Sequence, residues 1–206
     1  MNWIDRMYEL KGRDLYSQNG EGLYLEYIAH NTFSNKSILD IGCGDFFHLS
    51  NSRHLSNLGW LVVGLDKNNG SFVSCENLIK YLPPDGIDIG VVSIDIDGND
   101  YWIIDAVLKN KKPHAIIAEF NASYTDSRAI KYNPDHVWAG DSYYGFTFDA
   151  GVKLAEKHGY KVIFQIADMN IIMVRKDLID GLHVPPVTYK QNDYFKMSDR
   201  TDWVII

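Results

Sequence analysis

The sequence has few of the features that mark secreted, membrane-spanning or nucleic-acid-binding chains. Two of its 206 residues are cysteine, and Cys43 and Cys75 lack CxxC spacing. They can build neither a disulfide framework nor a four-thiolate zinc site, so free thiols in a reducing compartment are expected. No uninterrupted apolar run approaches the roughly 20 residues that span a bilayer. The opening MNWIDRMYELKGRD puts charge into every turn instead of forming a signal-peptide core. Cations are in the minority, 20 Lys plus Arg against 27 Asp plus Glu for a formal charge of -7, and no basic stretch could track a phosphate backbone. Neither nucleic acid nor membrane is an expected partner. Repeats, low-complexity tracts and Ser/Gly-rich linkers are also missing.

What is present is a globular composition, 46% hydrophobic and 13% aromatic, which excludes disorder and suits one sizeable core. The expectation is a single cytoplasmic domain over residues 1–206, with its core in 15–178, a long loop at 121–145 and a tail at 179–206.

Apolar runs alternate with helical patterns, the signature of an α/β sheet covered by helices. A helix is expected over Leu15–His30, with Ser17 as cap and Glu21 in its first turn. Strands are expected at Ser37–Ile41, Trp60–Leu65, Phe72–Ser74, Ile89–Ile96 and His114–Phe120, with a final hairpin of Lys161–Ile166 and Asn170–Arg175. Helices are expected over Phe46–Gly59, Tyr101–Lys109 and Thr147–His158. The tail shows no periodicity, but its apolar end, Trp203 to Ile206, should dock on something.

Two features suggest a nucleoside site. The first strand runs through Asp40 into the turn Gly42-Cys43-Gly44, and the second ends some 20 residues later in Asp66. Glycines let backbone amides approach a ligand closely, and a carboxylate there accepts hydrogen bonds from two ribose hydroxyls. NAD and S-adenosylmethionine share those needs. Phe47 occupies the third glycine position of the dinucleotide fingerprint, and Asp40 and Asp45 add negative charge where a pyrophosphate would lie. Acid at this turn suits the cationic S-adenosylmethionine better.

The segment Leu39-Asp-Ile-Gly-Cys-Gly44 resembles the first motif of the class I, Rossmann-like S-adenosylmethionine-dependent methyltransferases. More narrowly, residues 15–178 resemble the FkbM-like branch and uncharacterised bacterial relatives. That likeness rests on Ser17-Gln-Asn-Gly-Glu21, Asn51-Ser-Arg53, Gly59-Trp60, Ser93 through Asp95-Ile-Asp97-Gly-Asn-Asp100 to Trp102, Glu119-Phe-Asn121 and Gly159-Tyr160. The resemblance implies a doubly wound, mostly parallel sheet with an antiparallel final hairpin. It implies that Gly42 and Gly44 line the methionine part of the cofactor, that Asp66 holds the ribose and that Glu76 or Asn77 lies near the adenine. Gln18 would close over the cofactor, and Asp40 and Asp95 complete the expected cofactor set.

Acceptor-side residues of an open α/β sheet belong beyond the carboxyl ends of its strands. Asp95, Asp97 and Asp100 follow one expected strand, and Glu119 and Asn121 follow the next. Asp95 or Asp97 can serve as base toward an acceptor hydroxyl, or Asp95, Glu119 and Asn121 can hold Mg2+, as similarity to macrocin-type sugar O-methyltransferases suggests. The alternative for Asp97 and Asp100 is a turn and helix cap. The loop at 121–145 interleaves six aromatic or histidine side chains with charges, including His136 as a further base, and suits a small or carbohydrate-like acceptor such as a nucleotide-linked sugar or phosphorylated precursor. The function expected is O-methylation. An N-methyltransferase and a silent cofactor-binding module are the competitors, and homo-oligomers remain open.

Overall fold

β-branched residues dominate the segments that become the centre of the sheet, where both faces are covered and alternation disappears. In the computed structural model, which describes residues 1–12 and 14–206, these segments are β1 (Ser37–Ile41), β2 (Leu61–Leu65), β3 (Val91–Ile94), β4 (Ala115–Glu119), β6 (Tyr160–Ile166) and β7 (Asn170–Arg175). They form one sheet in the order β2-β1-β3-β4-β7-β6. The first four run parallel, and β7 is antiparallel to both β4 and β6. This is the doubly wound α/β sheet with an antiparallel terminal hairpin that the pattern implied.

Successive strand residues feed opposite faces. Ile38, Val91, Ala115, Ile117, Ile172 and Val174 pack against α1 (Trp3–Met7), α2 (Glu21–Asn31) and α3 (Arg53–Asn57) through Ile4, Met7, Leu25, Ile28 and Leu55. On the other face Leu39, Val92, Ile116 and Met173 meet α4 (Asp100–Asn110) and α5 (Phe148–Lys157) through Ile104, Val107, Leu108, Leu154 and Ala155. Each of the Val, Leu, Ile and Met side chains among these contributes about 1.5–3 kcal/mol of burial. No helix among the described residues is long and apolar enough to cross a membrane.

Four local expectations are corrected. The second helix begins at Glu21, not Leu15, because Asp14 folds the preceding strap: its carboxylate accepts the N–H groups of Tyr16, Ser17 and Gly22 and the Ser17 hydroxyl, so Ser17 caps nothing. Phe46–Gly59 is mostly not helical. Phe46 (φ 65) and Leu49 (φ 56) sit in the left-handed region, which breaks a right-handed helix, and only Arg53–Asn57 forms α3. The Arg53 guanidinium lies 4.9 Å from the Phe47 ring centre and 5.6 Å from that of Phe46, which fixes this irregular loop. No strand forms at Phe72–Ser74, where Asn77 ties the chain into a turn by accepting from Ser74 N and donating to Phe72 O. Finally, Asn99, not Asp100, holds the N-cap position of the helix after β3, and its side chain bonds Asn133 instead of capping.

The tail folds onto the 121–145 loop. Its β8 (Val204–Ile205) pairs antiparallel with β5 (Arg128–Ala129), and Trp203 packs edge-on against Tyr124 and Tyr143 at 5.0 and 4.8 Å. The expected docking of the apolar end is thus onto the chain's own loop.

Candidate active site

β1 has β2 on one side and β3 on the other, so the connections leaving β1 and β3 diverge and open a crevice at their carboxyl ends. A cavity of about 530 Å³ occupies this point. The turn after β1 forms one wall. Gly42 (φ 92) donates its N–H to Leu65 O at 2.8 Å, and a Cβ on it would overlap the Asp95 carbonyl oxygen. Only glycine fits there. Gly44 donates its N–H to Asp66 Oδ2 at 3.1 Å, so the glycine turn and the carboxylate after β2 form one unit. Lys67, Ser71 and Phe72 continue that wall.

Beyond β3 the chain turns sharply. Asp97 takes φ 53, and the fully buried Asp100 stabilises the turn by accepting the N–H groups of Ile96 and Gly98 at 2.9 and 2.8 Å. Gly98 leaves room for the His136 ring, whose Cδ2 would lie 2.6 Å from a Cβ there. Asn99 holds the His136 turn in place through paired bonds to Asn133. Carboxylate oxygens of Asp95, Asp97 and Glu119 lie within 4.8 Å of one another.

Glu119 ends β4 directly opposite Asn170 on β7, and the Asn170 amide donates to Glu21 Oε1 at 3.1 Å. Glu21, at the start of α2, is 1% exposed, and its other oxygen accepts Asn19 N–H at 2.7 Å. Gln18 borders the same cavity and reaches Met169 Sδ at 3.7 Å. Among the described residues, three buried polar atoms bordering the cavity have no partner: Glu119 Oε2, Asn170 Oδ1 and His136 Nε2.

Clustered acid in a poorly solvated cavity disfavours ionisation. Burial pushes the Asp95 carboxyl well above the usual range, and the charges of Asp100 and Asp97 push it further. Burial and then Asp95 do the same to Glu119. Asp97 is raised by burial, Asp100 is raised to about 6 by burial, and burial lowers the His136 imidazole, which favours its neutral form.

The cavity brings together Gln18, Gly42, Gly44, Asp66, Asp95, Asp97, Glu119 and His136 of the expected residues. Four others lie elsewhere. Asp40 points into the core, where it accepts the Ser52 hydroxyl, because alternation along β1 turns it away from the cavity. Glu76 faces solvent and accepts the Tyr132 hydroxyl at 2.6 Å, while Asn77 is consumed by its turn. Asn121 is fully buried and donates to Ser142 O and Tyr144 O while accepting Ser123 N–H, so its amide ties the loop backbone together, and it does not line the cavity that Asp95 and Glu119 border. Sequence reasoning missed Asn170, whose only signal is its register opposite Glu119 in the hairpin, and gave Glu21 a helix-start role alone. It also missed Phe195, a tail residue that borders the cavity and meets Trp138 at 4.9 Å and Tyr144 at 5.6 Å.

No protein-family model matches the chain, and no curated protein matches it. Among solved structures, it is similar to an S-adenosylmethionine-bound amino pentose methyltransferase of calicheamicin biosynthesis from Micromonospora echinaspora, with 11% identity, 85% of this chain and 97% of that one covered, and a TM-score of 0.46. A sugar N-methyltransferase from Streptoalloteichus matches at 13% identity over 83% and 92% of the two chains, with a TM-score of 0.43. The N-terminal domain of EvdMO1, solved with S-adenosylhomocysteine and D-fucose, matches at 9% identity over 84% and 94%, with a TM-score of 0.42. These are likenesses of chain outline, at identities where residue roles do not transfer.

Proposed function

We propose that the cavity binds S-adenosylmethionine and that the protein methylates a hydroxyl of a small, carbohydrate-like acceptor. The observation that carries this reading is the composition of one cavity at the sheet's switch point: a glycine turn that excludes any side chain, facing Glu21, Asp66, Asp95, Asp97 and Glu119 against a single lysine, Lys67. Such a surface disfavours a pyrophosphate at the glycine turn and favours a cation there. The cofactor, when bound, supplies a methyl group on a sulfonium centre.

Asp66 would accept the ribose hydroxyls, while the backbone at Gly42 and Gly44 permits close approach. Glu21, Gln18 and the unpartnered Asn170 Oδ1 would hold the polar end of the methionine moiety. On the acceptor side Asp95 would take the hydroxyl proton, its carboxyl made more basic by burial and by Asp100. Neutral His136, which lines the same cavity, is a further base. Trp138 and Phe195 offer ring faces to an apolar sugar face. A second reading is favoured by the convergence of Asp95, Asp97 and Glu119: these three would hold a divalent cation such as Mg2+, which binds vicinal hydroxyls and lowers their pKa.

Calorimetry with S-adenosylhomocysteine should show binding that Asp66→Ala weakens by at least tenfold, about 1.4 kcal/mol. No binding by the unaltered protein sinks the methyltransferase reading. Turnover against nucleotide-linked sugars and phosphorylated small molecules identifies the acceptor, and full turnover in excess EDTA removes the metal.

A further inference from the structure

With no strand at 72–74, β2 is the outermost strand of the sheet on its side. Leu61 N donates to Lys36 O at 2.9 Å and Leu65 O accepts Gly42 N at 2.8 Å, so residues 61, 63 and 65 direct their backbone groups to β1. In a parallel pair the alternate residues then face outward. Trp60, Val62 and Gly64 are these residues. The Trp60 N–H is used by Leu55 O at 3.1 Å, and the Gly64 carbonyl accepts the Asn69 amide at 3.3 Å. Among the described residues, four outward groups are left: both from Val62, the Trp60 carbonyl and the Gly64 N–H.

Native edge strands are ordinarily protected by charge, proline, a bulge or a covering helix or loop, and among the described residues such contacts reach only the two ends of β2, Leu55 at Trp60 and Asn69 at Gly64. Residues 59–65, Gly-Trp-Leu-Val-Val-Gly-Leu, contain neither charge nor proline, and Leu61 and Val63 are 68% and 42% exposed. We propose that a second copy of this chain covers β2, the two β2 strands pairing antiparallel about a two-fold axis through Val62.

The remaining groups are self-complementary about that axis. Val62 faces the partner's Val62, and each N–H meets the other's carbonyl. Gly64 faces the partner's Trp60, so the free Gly64 N–H meets the free Trp60 carbonyl, twice by symmetry. The two groups already bonded within the chain, Trp60 N–H and Gly64 C=O, face each other in this register, so each pair forms one bond instead of two and no group is left without a partner. Leu61 falls opposite the partner's Val63, apolar against apolar, and further out Leu58 meets the partner's Asp66, so no like charges face each other. A closed, isologous dimer results, joining two six-stranded sheets. A foreign strand would have to reproduce the same pattern of free groups, whereas a second copy carries it already.

Sedimentation equilibrium of the full chain at micromolar concentration should give twice the monomer mass. Val62→Pro removes the central donors, and Val63→Lys sets a charge beside the partner's Leu61. Each should raise the dimer dissociation constant at least tenfold, with an unchanged near-ultraviolet dichroism spectrum for Val63→Lys showing that the fold is intact. Leu61→Cys with Val63→Cys places thiols at facing non-hydrogen-bonded positions, about 4.5 Å between Cα atoms. Diamide should then yield a covalent dimer only when both substitutions are present. A monomeric native chain, a dimer indifferent to Val63→Lys, or no cross-link in the double variant overturns the proposal. None of these readouts depends on which ligand the cavity takes.

Discussion

The carbonyl oxygen of Asp95 stands 1.7 Å from the place a Cβ on Gly42 would occupy, so the turns after β1 and β3 touch backbone to backbone. The glycine turn and the acidic turn are one mechanical unit. Gly42→Ala must displace one of them and also strains a residue at φ 92. It should lower stability by at least about 2 kcal/mol and weaken S-adenosylhomocysteine binding about a hundredfold or more. Chemical denaturation and calorimetry read the two effects separately.

The acid cluster makes stability pH-dependent. Asp95, Glu119 and Asp100 have folded-state pKa values above their unfolded ones, Asp100 at about 6, so the folded chain holds protons that the unfolded chain releases. Their contribution is full below about pH 4 and is lost as pH rises through the folded values. The melting midpoint of the unliganded protein should therefore fall from about pH 4 through about 6 as Asp100 ionises, and further as Asp95 and Glu119 release their protons. Asp95→Asn should flatten the profile and raise the midpoint at neutral pH by about 2–4 °C, while abolishing turnover and leaving S-adenosylhomocysteine affinity nearly unchanged. An active Asp95→Asn enzyme removes Asp95 as base.

Asn121 tests structure against chemistry. Its amide satisfies two buried carbonyls and its oxygen one N–H, so Asn121→Ala should cost about 3 kcal/mol in urea denaturation. Divalent-cation binding, if calorimetry detects any, should survive this substitution and be lost in Asp97→Asn.

Phe195 should act on the acceptor alone. Its ring packs against Trp138 and Tyr144, on the wall that the 121–145 loop and the tail supply. In the methyltransferase assay Phe195→Ala should raise the acceptor KM about tenfold, the loss of roughly 1.4 kcal/mol of ring contact, with S-adenosylhomocysteine affinity unchanged. A rise in cofactor Kd instead would move Phe195 to the other side of the cavity.

The strands were legible because continuous apolar runs such as Ile89–Ile94 and His114–Phe120 can only be buried on both faces, and their carboxyl ends then dictate where Asp66, Asp95 and Glu119 gather. Phe46–Gly59 misled because nothing in a helical pattern reveals that Phe46 and Leu49 will adopt positive φ; that conformation is held by Arg53 stacking, a contact made in three dimensions. Asp40 misled for a simpler reason: it lies beside the glycine turn in sequence, yet strand alternation turns it into the core. Asn170 and Phe195 were hidden because their place in the cavity depends on the hairpin register in one case and on a tail without periodicity in the other.

That tail has a consequence for the order of events during synthesis. β8 clasps β5 from 75 residues further along the chain, and between them Lys196 O and Ser198 N bond Ser142, fixing Phe195 over Trp138. A nascent chain that has released residue 175 holds every strand of the main sheet and the glycine turn, but lacks one wall of the cavity. On the proposed function, the wall that would hold the nucleoside is complete before the wall that would choose the acceptor, which waits for Phe195 to dock.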